Sequence, residues 1–126
     1  MTKSSRFGYG ETLERLTDAI IKAGNTIFAS IDQSAAARSV GSTLRPTTLL
    51  IFGNPKGGTF LMEAFPLVAL ELPLKLLIWE EDSKVNLSYV PMSEIAARYS
   101  VAGMDTRIQA MDAALDSLTG AVAVGR

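Results

Sequence analysis

Neither cysteine nor histidine occurs anywhere in the 126 residues. Without cysteine there is no disulfide, no thiolate nucleophile and no thiolate metal site. Without histidine the chain lacks the side chain most used as a general base near neutral pH, which is also the commonest metal ligand. A serine–histidine–aspartate triad and any histidine-bearing zinc site are therefore excluded. Charge of one sign is missing too: twelve cations and thirteen carboxylates leave a net −1. The cations are scattered from Lys3 to Arg126 with no basic run. A phosphate-tracking surface needs clustered cations, so neither a nucleic-acid reader nor an acidic-lipid binder is expected.

A long uninterrupted apolar run is also lacking. Phe60 to Trp79 has about the length of a membrane span, but it contains Glu63, Pro66, Glu71, Pro73 and Lys75. Those interruptions suit a helix, a turn and a strand of a water-soluble core, and no membrane association is expected. The first residues, Met1-Thr2-Lys3-Ser4-Ser5-Arg6, have no apolar segment behind them and do not read as a secretory signal.

What is present is the material of one globular domain spanning 1–126, with 48% apolar and 20% charged residues. Residues 3–9 form a candidate first strand. Residues 11–23 read as an amphipathic helix, with Leu13, Leu16, Ala19, Ile20 and Ala23 on one stripe. Glu11–Arg15 and Asp18–Lys22 are acid-before-base pairs four apart, and Gly24 is a natural stop. Thr26 to Ile31 alternates, putting Ile27, Ala29 and Ile31 on one face of a half-buried strand. Asp32 caps a short alanine-rich helix ending at Gly41.

Thr47 to Phe52 is a nearly continuous run of β-formers, the pattern of an inner strand. Gly53 to Gly58 reads as a loop and Thr59 to Phe65 as a turn or two of helix. Leu74–Trp79 and Val85–Val90 make a hairpin around Glu80 to Lys84. Ser93 is placed to cap a helix through Tyr99. The last helix, about 105–119, carries Ile108, Met111, Leu115 and Leu118 on a narrow seam. The mixture predicts an α+β fold, a mostly antiparallel sheet with helices packed on one face. The other face is left for solvent or a second subunit; outward residues such as Phe28, Leu77 and Trp79 make a homodimer an attractive expectation.

The segment best suited to a ligand is Phe52-Gly53-Asn54-Pro55-Lys56-Gly57-Gly58-Thr59, where a strand hands over to a helix. Free N–H groups at a helix start favour an anion; Lys56 can add a charge and Thr59 a hydroxyl. Glu63, four residues after Thr59, would share its helical face. The candidate ligand residues are thus Asn54, Lys56, Gly57, Gly58, Thr59 and Glu63. The same residues equally suit a structural turn capped by Thr59, since neither the phosphate-loop spacing nor the dinucleotide glycine fingerprint is present. Glu80-Glu81-Asp82 is the one acidic cluster, and a solvated hairpin tip accounts for it. Trp79, Tyr89 and Tyr99 read as core aromatics with polar tips. No catalytic residue, metal ligand or cofactor emerges.

The order of motifs has a counterpart. Ile31-Asp32, Ala35-Ala36-Ala37, Gly41, Ile51-Phe52-Gly53-Asn54-Pro55, Gly58-Thr59 and Ala69-Leu70-Glu71-Leu72-Pro73-Leu74-Lys75 resemble the family known as domain of unknown function 302, over roughly residues 31–92. The resemblance implies a β-α-β(4)-α arrangement similar to the TATA-binding-protein-like fold, with a shared core of about 5–100 and a tail after Tyr99 outside the common motif. It implies a bacterial or archaeal, cytoplasmic protein, and supplies no activity. Gln33 stands where the family often has histidine, and Glu71 where it has aspartate. Three functions are weighed on this basis: a non-enzymatic anion-binding or assembly module, an enzyme using Lys56 or Glu63, and a structural interaction domain.

Overall fold

The structure is a computed structural model describing residues 1–125. Five strands and five α-helices are found among the described residues. In chain order they are β1 (Thr2–Ser4), α1 (Tyr9–Lys22), β2 (Thr26–Asp32), α2 (Gln33–Ser39), β3 (Thr47–Gly53), α3 (Pro55–Ala64), a 3₁₀ turn (Pro66–Leu70), β4 (Leu74–Glu81), β5 (Lys84–Ser88), α4 (Met92–Arg98) and α5 (Asp105–Gly120). The strands form one antiparallel sheet in the order β1-β5-β4-β3-β2. The expected α+β class and the antiparallel sheet are what the chain adopts.

One face of the sheet meets the helices. Leu50 and Phe52 of β3, Leu76 and Ile78 of β4, and Val85 and Leu87 of β5 pack with Leu16 and Ile20 of α1 and with Leu115 and Leu118 of α5. A second apolar cluster joins α3, the 3₁₀ turn, α4 and α5 through Leu61, Val68, Met92, Ile95 and Ile108. Complete burial of a leucine-sized side chain stabilises by about 1.5–3 kcal/mol relative to exposure. These two clusters therefore dominate the folding energy. Phe60 to Trp79 is divided among α3, the 3₁₀ turn and β4, and among the described residues no helix is long and apolar enough to cross a membrane.

Several boundaries differ from the sequence reading, each for a physical reason. The first strand is short, Thr2–Ser4, because the chain bends at Arg6 and Phe7, where the Ser5 Oγ accepts from the Phe7 N–H at 3.1 Å. The face predicted for β2 is broken by a bulge between Ile27 and Ala29. Ile27 pairs with the fully buried Phe52, whereas Ala29 and Ile31 pair with Ile51 and Leu49 on the opposite face. An extra residue reverses the two-residue alternation beyond it. Ser93 is not the cap of α4. Asp112, projecting from α5, accepts from the N–H groups of Met92 at 2.5 Å and Ser93 at 3.2 Å. The hairpin turn is only Asp82-Ser83, both with positive φ, as a type I′ turn demands.

Other expectations are met by the geometry. Gly24 ends α1 with φ +87°. Asp32 caps α2 by accepting from the Ala35 N–H at 2.9 Å. Glu11 and Arg15 close their ion pair at 2.8 Å on the exposed side of α1.

Candidate functional site

The segment singled out in the sequence lies at the start of α3, but it is not a loop. Proline is well placed at a helix's first position, because its missing N–H is one the helix cannot use and its φ is preset. Helix α3 accordingly begins at Pro55, with Asn54 as its cap. Gly57 and Gly58 are helical residues, and Thr59 sits inside the helix rather than at its boundary.

The donors an anion would need are engaged. Asn54 Oδ1 accepts from the Lys56 N–H at 3.0 Å, and the Asn54 carbonyl accepts from Gly57 and Gly58 at 3.0 and 3.3 Å. The Thr59 hydroxyl donates to the Pro55 carbonyl at 2.6 Å. Gly58 faces the protein, since a Cβ there would lie 3.6 Å from Met62 Cε and 3.8 Å from Leu72 Cδ1. Lys56, Thr59 and Glu63 are exposed and share one helical stripe by their spacing. The structure thus brings the six residues onto one helix without forming a cradle. A cleft of about 490 Å³ lies beside Lys3 and Val124, and one of about 300 Å³ beside Met104 and Arg107.

Two polar groupings escaped the sequence reading. Tyr9, at the start of α1, shares a 2.5 Å hydrogen bond with the buried Thr48 hydroxyl of β3. Burial raises the pKa of Tyr9 above 10.0; the Thr48 hydrogen bond opposes the rise, and the charges of Asp32 and Glu80 add to it. Tyr9 thereby ties the start of α1 to β3. Glu71 Oε1 accepts from the Tyr99 hydroxyl at 3.0 Å and from Arg98 at 3.2 Å, anchoring the segment before β4 to α4. Both contacts join residues 27 or more positions apart, which no local spacing reveals. Glu81 of the acidic turn pairs with Arg45 at 3.4 Å. No group of three or more carboxylates suited to a metal occurs among the described residues.

A further feature is the other side of the sheet. Leu49 and Ile51 of β3 and Leu77 and Trp79 of β4 alternate with the core residues and belong to neither apolar cluster. They form a contiguous apolar surface with Ala29 and Ile31 of β2. Its polar members are satisfied laterally. Trp79 Nε1 donates to Ser88 Oγ at 2.9 Å, and the Ser88 and Thr2 hydroxyls are 3.0 Å apart.

The profile of the family described as "Domain of unknown function DUF302" matches residues 1–118. The chain belongs to the DUF302 family. Because the match reaches Leu118, α5 is part of the shared DUF302 unit and not a tail peculiar to this chain. The crystal structure of an uncharacterized conserved DUF302 protein from Bacillus stearothermophilus superimposes with a TM-score of 0.89 at 17% identity, covering 97% of this chain and 96% of that one. At that identity the likeness shows the fold. Two further relatives are named for a function. The chain is 38% identical over 113 residues to "Fluoride-specific ion channel FluC 1" of Brucella suis biovar 1, covering 88% of this chain and 44% of that protein. "Fluoride-specific ion channel FluC 2" of Brucella melitensis biotype 1 is likewise 38% identical over 113 residues, with 88% and 42% covered. This DUF302 chain thus spans less than half the length of those relatives.

Proposed function

We propose that this DUF302 domain is a non-catalytic assembly module, acting through its open sheet face in the service of a fluoride channel. The carrying observation is the one-sided sheet: helices bury one face, while Leu49, Ile51, Leu77 and Trp79 leave a continuous apolar surface on the other. These side chains are half-buried in the isolated chain, and a contiguous apolar surface of that kind supports a role in interaction. The Trp79 indole and the Ser88 and Thr2 hydroxyls along it already have partners in the sheet, so covering them strands none of these donors.

The link to the channel comes from the relatives. The matched part is an open sheet with short helices, so the conducting path of the FluC-named proteins would belong to their remaining portion. A DUF302 domain carried in the same chain would then hold such subunits to one another or to a separate DUF302 chain. An anion held at Asn54 to Thr59 would have to displace the Asn54 side chain, or rely on the exposed Lys56 ammonium alone. An enzyme built on Lys56 or Glu63 would have to act from exposed side chains on the surface of α3. Assembly is the reading that needs no rearrangement.

Co-expression of this chain with the full-length Brucella suis relative in detergent tests the proposal. A stable complex is expected, lost when Leu77→Glu is introduced into this chain at unchanged circular dichroism. A folded chain that never co-elutes with the relative would sink the channel role.

A further inference from the structure

The open face fits a second copy of this same chain, and we infer a face-to-face homodimer in which the two β4 strands run antiparallel across the interface. The inference rests on the assembly reading above and names the occupant. Register divides the face into rows across the strands. Ile31, Leu49, Leu77, Ser88 and Thr2 form a central row without a charge. The next row on one side contains Ala29, Ile51 and Lys75; on the other side it contains Thr47, Trp79 and Asn86. Beyond Trp79 on the same face of β4 stands Glu81.

An in-plane two-fold axis brings such faces together, and the residues choose between its two limiting orientations. An axis along the strands sets the apolar β2–β3 side over the hydroxyl-rich β5–β1 side. An axis across the strands, lying on the central row, sets β2–β4 over the same strands of the second copy. Apolar area then meets apolar area, with Leu49 on Leu49 and Leu77 on Leu77. The same rotation places each Lys75 over Trp79 of the second copy, with its ammonium directed at Glu81 one row further. Its methylene stem covers the indole ring while the charge meets a carboxylate now held by Arg45 at 3.4 Å.

The area suits a weak, reversible pairing of this occupant. Five strands about 4.8 Å apart, and about six residues at a rise of about 3.4 Å, give a face of about 24 by 20 Å. Two copies close about 960 Å² of flat area before side-chain relief is counted, just under the ~1,000 Å² that stable specific interfaces clear and in the range of weak, reversible ones. The length of the face along the strands limits the dimer to one central apolar row and its two neighbours. Register is therefore decided by where Lys75 finds Trp79 and Glu81.

Sedimentation equilibrium on the full chain tests this. Wild type is expected at twice the chain mass at micromolar concentration. Leu77→Glu should be a monomer, and the milder Leu77→Ser should raise the dissociation constant at unchanged circular dichroism, with a thermal midpoint that no longer rises with protein concentration as it does in wild type. Lys75→Glu should weaken the dimer by about tenfold or more at low salt. Adding Glu81→Lys to it should restore pairing, because the two sites exchange charge across the interface. A wild-type monomer at 200 μM, or a dimer indifferent to Leu77→Ser, overturns the homodimer. A monomer that still binds the Brucella relative removes self-pairing alone, whereas a chain that binds neither removes the assembly reading with it.

Discussion

Asp112 of α5 caps α4 across space: its Oδ1 accepts from the Met92 N–H at 2.5 Å and its Oδ2 from the Ser93 N–H at 3.2 Å. A helix of seven residues gains little from propensity, so it depends on such help. Removing the carboxylate orphans two N–H groups at once. Asp112→Ala is expected to lower stability by about 1–2 kcal/mol in urea melts. Ser93→Ala should stay within about 0.5 kcal/mol, because its hydroxyl does not cap the helix. Equal losses in the two variants would contradict the assignment.

The hairpin between β4 and β5 carries a correctable strain. Ser83 adopts φ +65°, a region where a Cβ costs energy and glycine does not. Ser83→Gly creates the Asp-Gly pair that type I′ turns favour. The variant should be more stable by about 0.5–1 kcal/mol, read as a higher urea midpoint at constant slope.

Tyr9 makes stability fall in alkali. Its pKa is raised above 10.0 in the folded chain, chiefly by burial, so the native state prefers the protonated phenol. That preference contributes fully below the unfolded value, and the contribution is lost as pH rises through the folded one. Wild type should therefore lose stability more steeply above about pH 10 than Tyr9→Phe does. At neutral pH the same variant should be weaker by about 1 kcal/mol, since Thr48 loses its partner. Parallel alkaline limbs for the two proteins would be the disconfirming result.

At α3 the glycines offer a test of ligand against structure. A Cβ on Gly57 would meet nothing within 4 Å, and the residue is helical. Gly57→Ala should add about 0.4–1 kcal/mol of stability. Because Asn54 already occupies the N–H groups of Lys56, Gly57 and Gly58, their amide signals should not move in millimolar phosphate, in either protein. Saturable shifts at Lys56 and Gly57 would reinstate the anion site.

Much of the architecture was legible where one face of an element is buried. Leu16 and Ile20 announced α1, and Thr47 to Phe52 announced an inner strand, because burial imposes a period the sequence must keep. The start of α3 was misread because Asn54-Pro55 and Gly57-Gly58 look like loop residues in isolation. Their helical state follows from the cap Asn54 supplies. The bulge after Ile27 and the contacts of Tyr9 with Thr48 and Glu71 with Tyr99 were illegible for a different reason. They are fixed by residues distant in the chain. The outward position of Leu77 and Trp79 was readable from alternation, and it is the one part of the proposed site that was.

The hydrogen bond from the Val124 N–H to the Ser4 carbonyl, 2.7 Å long, has a bearing on fusion proteins. It sets both ends of the fold at the β1 margin, a whole sheet width away from β2. Anything tethered before Thr2 or after Val124 would depart from one shared corner. Swapping a fluorescent tag between the two ends should therefore leave energy transfer to a dye on β2 nearly unchanged.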